Sequence, residues 1–298
     1  MNVEEYLASC RALVDAALER ALAAADGVPP RLHEAMRYAV FSGGKRVRPI
    51  LTLMACEASG GEPQRALPFA CALELIHTYS LVHDDLPAMD DDELRRGRAT
   101  VHVAFGEAHA ILTGDALLTE AFALAADGAA TAGVEPGRAL AIVAVIARAA
   151  GAGGMVGGQV ADLEGEGRRA DLTLVESIHR RKTGALIAAA VEAGALAGGA
   201  EGAALQALRD YGGALGLAFQ VADDLLDATA STAVTGKREG GDAARGKATY
   251  PAVLGIEGAR GVARALLARC RTALAPLGTR GEPLAALATF IVERAAGR

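Results

Sequence analysis

Apolar residues recur three and four positions apart along nearly all of this 298-residue chain, and strict polar–apolar alternation is missing. Segments such as "EEYLASCRALVDAALERALAAA", "RALPFACALELIHTYSLVHDDL", "EAHAILTGDALLTEAFALAA" and "ALQALRDYGGALGLAFQVADDLLDA" carry this helical period. Glycine- and proline-containing breaks at 26–30, 42–49, 59–63 and 132–137 separate them. "IVAVI" at 142–146 holds strand-forming residues, but its alanine-rich flanks make it helix. Aromatic residues are only 4% of the chain and Trp is absent, so a core must come from Ala, Leu and Val in closely packed helices. Two late helices are expected near 258–275 and 283–296. No linker is long enough to divide the chain, which predicts one all-α domain over 1–298 with roughly ten or more helices.

Several function classes fall away on composition. A net charge of −6 with no dominant basic face argues against a nucleic-acid partner. Cys10, Cys56, Cys71 and Cys270 are scattered without Cys–His spacing, as expected of reduced core residues. Charges run through the first twenty residues, so they read as a mature helix and not a signal peptide. The most apolar stretches, 139–160 and 184–200, are interrupted by Arg148, Glu192 and glycines, which predicts no membrane span and a cytoplasmic location.

Two acidic clusters interrupt this apolar background. "LVHDDLPAMDDDELRRG" at 81–97 places five aspartates and a glutamate within ten residues. His77 and Asp84 lie two turns apart on one helix face, roughly 10 Å along the axis, with Ser80 between them. Pro87 should end that helix near Asp85 or Leu86, letting the chain bend so that Asp90 returns toward Asp84. Such a pair suits Mg²⁺, although a solvated acidic loop fits this stretch equally well. "FQVADDLLD" at 219–227 spaces Gln220, Asp223, Asp224 and Asp227 at i, i+3, i+4 and i+7, read as one helical face. Carboxylates on an otherwise apolar helix call for a cation, since burying them unpaired is costly.

Basic groups supply the complement. "GGKRVRP" at 43–49 presents Lys45, Arg46 and Arg48 after two glycines, a possible anion cradle that taken alone reads as a charged turn. Arg95 and Arg96 abut the first acidic cluster, and "HRRKTGALI" puts Lys182 and Thr183 on an apolar helix. Lys237 and Lys247 follow the second cluster. Carboxylates for Mg²⁺ beside two separated basic sets describe a site for two diphosphates.

Together, "LIHTYSLVHDDLPAMDDDELRRG", "GGKRVRP", "HRRKTGALI", "FQVADDLLD" and "GKATYP" resemble the trans-isoprenyl diphosphate synthases (polyprenyl synthetases), most like the bacterial farnesyl-producing members. The resemblance runs in order from about 40 to 255, while "ATASTAVTGK" and Arg245–Gly246 depart from its usual pattern. It implies an antiparallel all-α bundle around a deep central cavity, the isoprenoid synthase fold, in a homodimer. The implied reaction joins isopentenyl diphosphate to dimethylallyl or geranyl diphosphate. Three Mg²⁺ ions would be held by Asp84 and Asp90 with Asp85 in support, and by Asp223 with Asp224 and Asp227. Gly44, Lys45, Arg48, His77 and Arg96 would bind isopentenyl diphosphate. Arg95, Lys182, Lys237 and Lys247 would grip the allylic diphosphate, with Lys182, Thr183 and Gln220 beside the reacting carbon.

Tyr79 lies five residues before Asp84, about 7.5 Å deeper along the helix, and together with Ser80 would set chain length by flooring the cavity. A packed core Tyr is the plainer alternative. Geranyl- and geranylgeranyl-producing enzymes, a terpene cyclase, a metal-dependent phosphohydrolase and a non-catalytic partner subunit are the rival readings. The cyclase needs no second basic set, the phosphohydrolase lacks further His/Asp groups, and a non-catalytic subunit should have lost acidic ligands.

Overall fold

Small side chains let helices approach closely, and the architecture follows from that. The computed structural model describes residues 3–24, 26–165, 167, 171–229 and 249–295. Thirteen α-helices lie in these residues. The first four are α1 (Val3–Ala21), α2 (Pro30–Val40), α3 (Val47–Ala58) and α4 (Pro63–Asp84). Then come α5 (Val101–Phe105), α6 (Glu107–Thr131), α7 (Pro136–Ala150), α8 (Met155–Gly165) and α9 (Leu172–His179). The last four are α10 (Ala185–Ala197), α11 (Gly202–Thr229), α12 (Tyr250–Leu274) and α13 (Glu282–Ala295). A π-helical turn, Arg180–Gly184, joins α9 to α10, and a 3₁₀ segment, Ala275–Gly281, joins α12 to α13. The all-helical expectation holds, including α7 across 142–146.

Starts and stops follow local chemistry. Prolines open α2, α3's neighbour α4 and α7, where a missing amide hydrogen costs nothing. Asp171 and Thr249 cap α9 and α12 by accepting from Leu174 and Ala252 amides. Gly255, at φ 70°, interrupts α12 near its start.

Helix α4 is buried on nearly every side from Phe69 to Ile76, and α10 likewise from Leu186 to Ala197. A helix apolar all round belongs in the centre, and these two pack together with α3, α6 and α11 about them. Glycines make the closest crossings possible. A Cβ on Gly216 of α11 would stand 2.8 Å from Gly184 Cα, and one on Gly114 of α6 would stand 2.0 Å from His83 Nε2.

One element escaped the periodicity. Leu94–Arg95 and Arg98–Ala99 form a two-stranded antiparallel hairpin, with Leu94 opposite Ala99. Its turn residues Arg96 and Gly97 both have positive φ, 53° and 76°, as a type I′ turn requires. Two-residue strands are too short to show an alternating pattern.

Residues Pro136–Gly165 are long and apolar enough to cross a membrane by length and composition, with a mean hydropathy of 1.9 and 28% of the window buried. They divide at Gly151–Gly154 into α7 and α8.

Candidate active site

Helix α4 ends at Asp84, with Asp85 as its C-cap. Pro87 turns the chain, and the Asp90 amide donates to the Asp84 carbonyl at 2.8 Å, so the return expected from the sequence is made. The half-buried Asp84 carboxyl is pushed up to about 6. Burial is the main cause, and repulsion from Asp90 and Asp85 adds to it against the pull of Lys182 and Arg95. Crowded carboxylates with a raised pKa suit a divalent cation. Among the described residues no group of three His, Cys, Asp or Glu side chains could hold a metal ion by itself, while Asp84 and Asp90 are near enough to repel each other.

Asp85 differs from the ligand role expected of it. It is 3% exposed and held by Arg95, whose Nε donates at 2.7 and 2.9 Å and whose Nη2 donates at 2.5 Å. Both oxygens accept from the one guanidinium, so Asp85 anchors Arg95. Because the hairpin turn flips direction, Arg96 points elsewhere and donates to the Gly43 carbonyl. Gly44 has φ 144°, and a Cβ there would meet the Arg96 guanidinium at 2.8 Å. The paired glycines of "GGKRVRP" thus make room for Arg96, while Arg11 donates to the Gly44 carbonyl.

A small cavity of about 30 Å³ lies under the hairpin, lined by Glu74, His77, Asp85, Arg95 and Arg96 among others. His77 is held well below its ordinary pKa by burial and by Arg48, Arg96, Arg95 and Arg46, so its imidazole is neutral at pH 7. The Nε of Arg48 is buried without a hydrogen-bond partner. Burial lowers the Arg48 pKa, with Arg96 pushing the same way against Glu74 and Asp223. Cations gathered round a neutral imidazole, with one orphaned guanidinium nitrogen, favour an anion.

Three structural partners were missed by the sequence reading. Arg46, left-handed at φ 52° and 5% exposed, donates to Glu74 at 2.7 Å, Asp15 at 2.8 Å and the Val40 carbonyl at 2.8 Å. Glu74 is 2% exposed inside "ACALELI", and a lone carboxylate in such a run is the signal that a cation must meet it. Lys182 pairs with Asp162 at 2.6 Å. Burial alone would lower the Lys182 pKa, yet Asp162, Asp84 and Asp90 raise it. Lys182 therefore stands within electrostatic reach of the first acidic pair. It and the half-buried Thr183 sit on the π-turn, not the regular helix expected.

The second cluster lies along one arc of α11, where Gln220 meets Asp224 one turn on, but that arc straddles the edge of the core. Neighbours on a helix differ by roughly 100°, and Asp223 is exposed while Asp224 is 4% exposed. Asp223 opens onto a cleft of about 280 Å³ with Lys45 and Phe219. Asp224 instead takes hydrogen bonds from His179 at 2.8 Å, the Tyr250 amide at 3.0 Å and the Gln220 amide nitrogen at 3.2 Å. Those donors occupy the oxygens expected to support a metal. Asp227 is half-buried. Lys237 and Lys247 lie outside the described residues.

Tyr79 is buried, edge-on to the His83 ring with centroids 5.8 Å apart. Ser80 donates to its own helix at the His77 carbonyl, 2.9 Å away. All four cysteines are buried free thiols.

Paired carboxylates at the end of α4 and a separate guanidinium pocket thus stand within one helical bundle. A family model described as Polyprenyl synthetase matches residues 29–273, and the chain belongs to that family. Among its relatives is a farnesyl diphosphate synthase of Geobacillus stearothermophilus, 47% identical over 87% of this chain and 87% of its own length. Another is the heterodimeric geranylgeranyl pyrophosphate synthase large subunit 1 of Arabidopsis thaliana chloroplasts, 44% identical over 97% of this chain and 78% of its own. A solved FPP/GFPP synthase from Zymomonas mobilis superposes with a TM-score of 0.86 at 38% identity, covering 98% of this chain and 99% of that one.

Proposed function

We propose that this chain is a Mg²⁺-dependent prenyltransferase that condenses isopentenyl diphosphate with dimethylallyl or geranyl diphosphate, giving chiefly farnesyl diphosphate. The observation that carries this reading is the division of charge along α4. The raised Asp84 beside Asp90 and Lys182 lies at its end, and the arginine-rich pocket round neutral His77 lies two turns earlier.

Asp84, Asp90 and Asp223 are the carboxylates offered to metal, three ions in all, with remaining ligands from diphosphate. Bound there, Mg²⁺ would neutralise charge developing on the leaving diphosphate. Lys182 and Arg95, with Lys237 and Lys247, are assigned to the allylic diphosphate. Arg48, Arg96, Lys45 and His77, with the Gly44 backbone, are assigned to isopentenyl diphosphate. Neutral His77 can donate to a phosphate oxygen without losing a proton.

The allylic C–O bond breaks and its electron pair leaves with diphosphate. The resulting cation then meets the isopentenyl double bond, whose π pair forms the new C–C bond. A proton departs from the adjacent carbon to the released diphosphate. Thr183 and Gln220 are assigned to the side of the cation. Donation from the Gln220 nitrogen to Asp224 turns its carbonyl oxygen away from that carboxylate. The step calls for apolar walls that keep out water, which would otherwise capture the cation.

The chain is proposed to act as one all-α unit within a homodimer, in keeping with the exposed apolar side chains Ile111, Leu112 and Leu140, the last 70% exposed. Purified protein incubated with Mg²⁺, isopentenyl diphosphate and dimethylallyl diphosphate tests the function. A C15 product is expected. A dominant C20 product would move the chain to the geranylgeranyl-forming reading that the Arabidopsis relative keeps open, and no elongation would refute prenyl transfer.

A further inference from the structure

The partners of Asp224 are distributed too purposefully for a carboxylate that merely accompanies Asp223. Its Oδ2 accepts from His179 Nε2 and from the Tyr250 amide, and its Oδ1 accepts from Gln220. Those donors belong to the end of α9, the start of α12 and α11 itself. His179 is 7% exposed, and its ring lies tilted against Tyr250 with centroids 5.5 Å apart. To donate to a carboxylate, Nε2 must carry the ring hydrogen.

The residue after His179 begins the π-turn that bears Lys182 and Thr183. A π-turn has poorer internal geometry than an α-turn and recurs where function demands an odd register. Here it is gripped from outside. At its first edge His179 is bonded to Asp224; at its last, Gly184 lies against Gly216 of the same helix α11. Between these points the Lys182 backbone lies against Gly158 of α8, so closely that a Cβ there would stand 2.2 Å from the Lys182 nitrogen. Helix α11, which offers Asp223 to the site, is thereby locked to the turn that offers Lys182.

We propose that Asp224 and His179 are a positioning pair, holding the π-turn and the start of α12 on α11, and that Asp224 is not a metal ligand. The proposal rests on the prenyl-transfer reading for the role of Lys182. A cation on Oδ2 would have to displace His179 or the Tyr250 amide, leaving a buried donor unpaired, and one on Oδ1 would meet the Gln220 amide nitrogen that already bonds there.

Four measurements on the full chain test it: steady-state elongation, Mn²⁺ binding in the presence of inorganic diphosphate by EPR, amide exchange across 180–184, and a double-mutant cycle. Asp224→Ala and His179→Ala should each lower kcat by about 10-fold or more. Each should speed exchange at 180–184 and leave Mn²⁺ binding at the wild-type level. The double variant should be no slower than the worse single variant, because both remove one shared contact. Asp224→Asn keeps an acceptor and His179→Gln keeps a donor, so both should regain most of the rate. Asp223→Ala should weaken Mn²⁺ binding without altering exchange. The proposal is overturned if Asp224→Asn weakens Mn²⁺ binding as Asp223→Ala does, or if the His179 and Asp224 losses multiply. Absence of elongation by the wild-type protein would overturn the prenyl-transfer reading instead, while the Mn²⁺ and exchange data would still decide what Asp224 does.

Discussion

Replacing Asp84 by Asn should stabilise the metal-free protein while disabling the enzyme, and the structure sets the size of the trade. The folded carboxyl has its pKa raised from 3.8 to about 6 by burial, which prevails although the pull of Lys182 and Arg95 exceeds the push of Asp90 and Asp85. A folded pKa above the unfolded one means that the folded state binds the proton more tightly between these values. Ionised Asp84 therefore costs stability above pH 6, and the cost fades as pH falls through 6 toward 4. A shift of about 2 units at 1.36 kcal/mol each sets a ceiling of about 3 kcal/mol. Screening at a half-buried site and relaxation toward Lys182 bring the expected gain to about 1–2 kcal/mol. For a chain of this size that is a rise in Tm of about 2–6 °C.

Thermal melts in EDTA at pH 8 and pH 4 check the sign, since groups away from Asp84 titrate alike in both proteins and the cost of its charge is present only at the higher pH. Asp84→Asn should melt higher at pH 8 and equal to wild type at pH 4. With Mg²⁺ and diphosphate the order should reverse, because ligand binding stabilises the folded wild type more. Turnover should fall by about 100-fold or more. A variant that melts lower than wild type at pH 8 in EDTA, or a gain that persists at pH 4, would refute the argument.

Tyr79→Ala should lengthen the product, read by chromatography of dephosphorylated chains; an unchanged C15 profile would leave Tyr79 as a packed core residue. Gly114→Ala places a methyl 2.0 Å from the His83 ring nitrogen, itself bonded to the Ile111 carbonyl at 3.0 Å. It should cost about 1–3 kcal/mol in urea unfolding, and an unshifted midpoint would contradict that packing. Arg46→Met strands Glu74 as a buried charge and should cost about 3–5 kcal/mol. Adding Glu74→Leu should restore much of it; a double variant as unstable as the single would show that the ion pair is not the cause.

Local chemistry accounts for what was legible in advance. The period of three and four foretold the helices, and Pro87 with its flanking aspartates foretold that Asp90 would return to Asp84. Residues acting through spacing along one helix, such as His77 and Asp84, were readable because the backbone fixes their separation. The hairpin at 94–99 was not readable, since two-residue strands show no period, and it is what sends Arg95 to Asp85 and Arg96 to Gly43.

Residue type and helical register, both local, were determined by the sequence alone: an all-helical chain with two acidic banks and basic sets beside them. Which carboxylate meets a cation and which meets a protein donor was decided only in the tertiary structure. Asp223 and Asp224 are chemically identical neighbours, and a turn of roughly 100° gives one to solvent and the other to His179 and the Tyr250 amide. Asp85 passes to Arg95 and Glu74 to Arg46 for the same reason: a buried charge takes the partner that packing supplies, and that partner is distant in sequence.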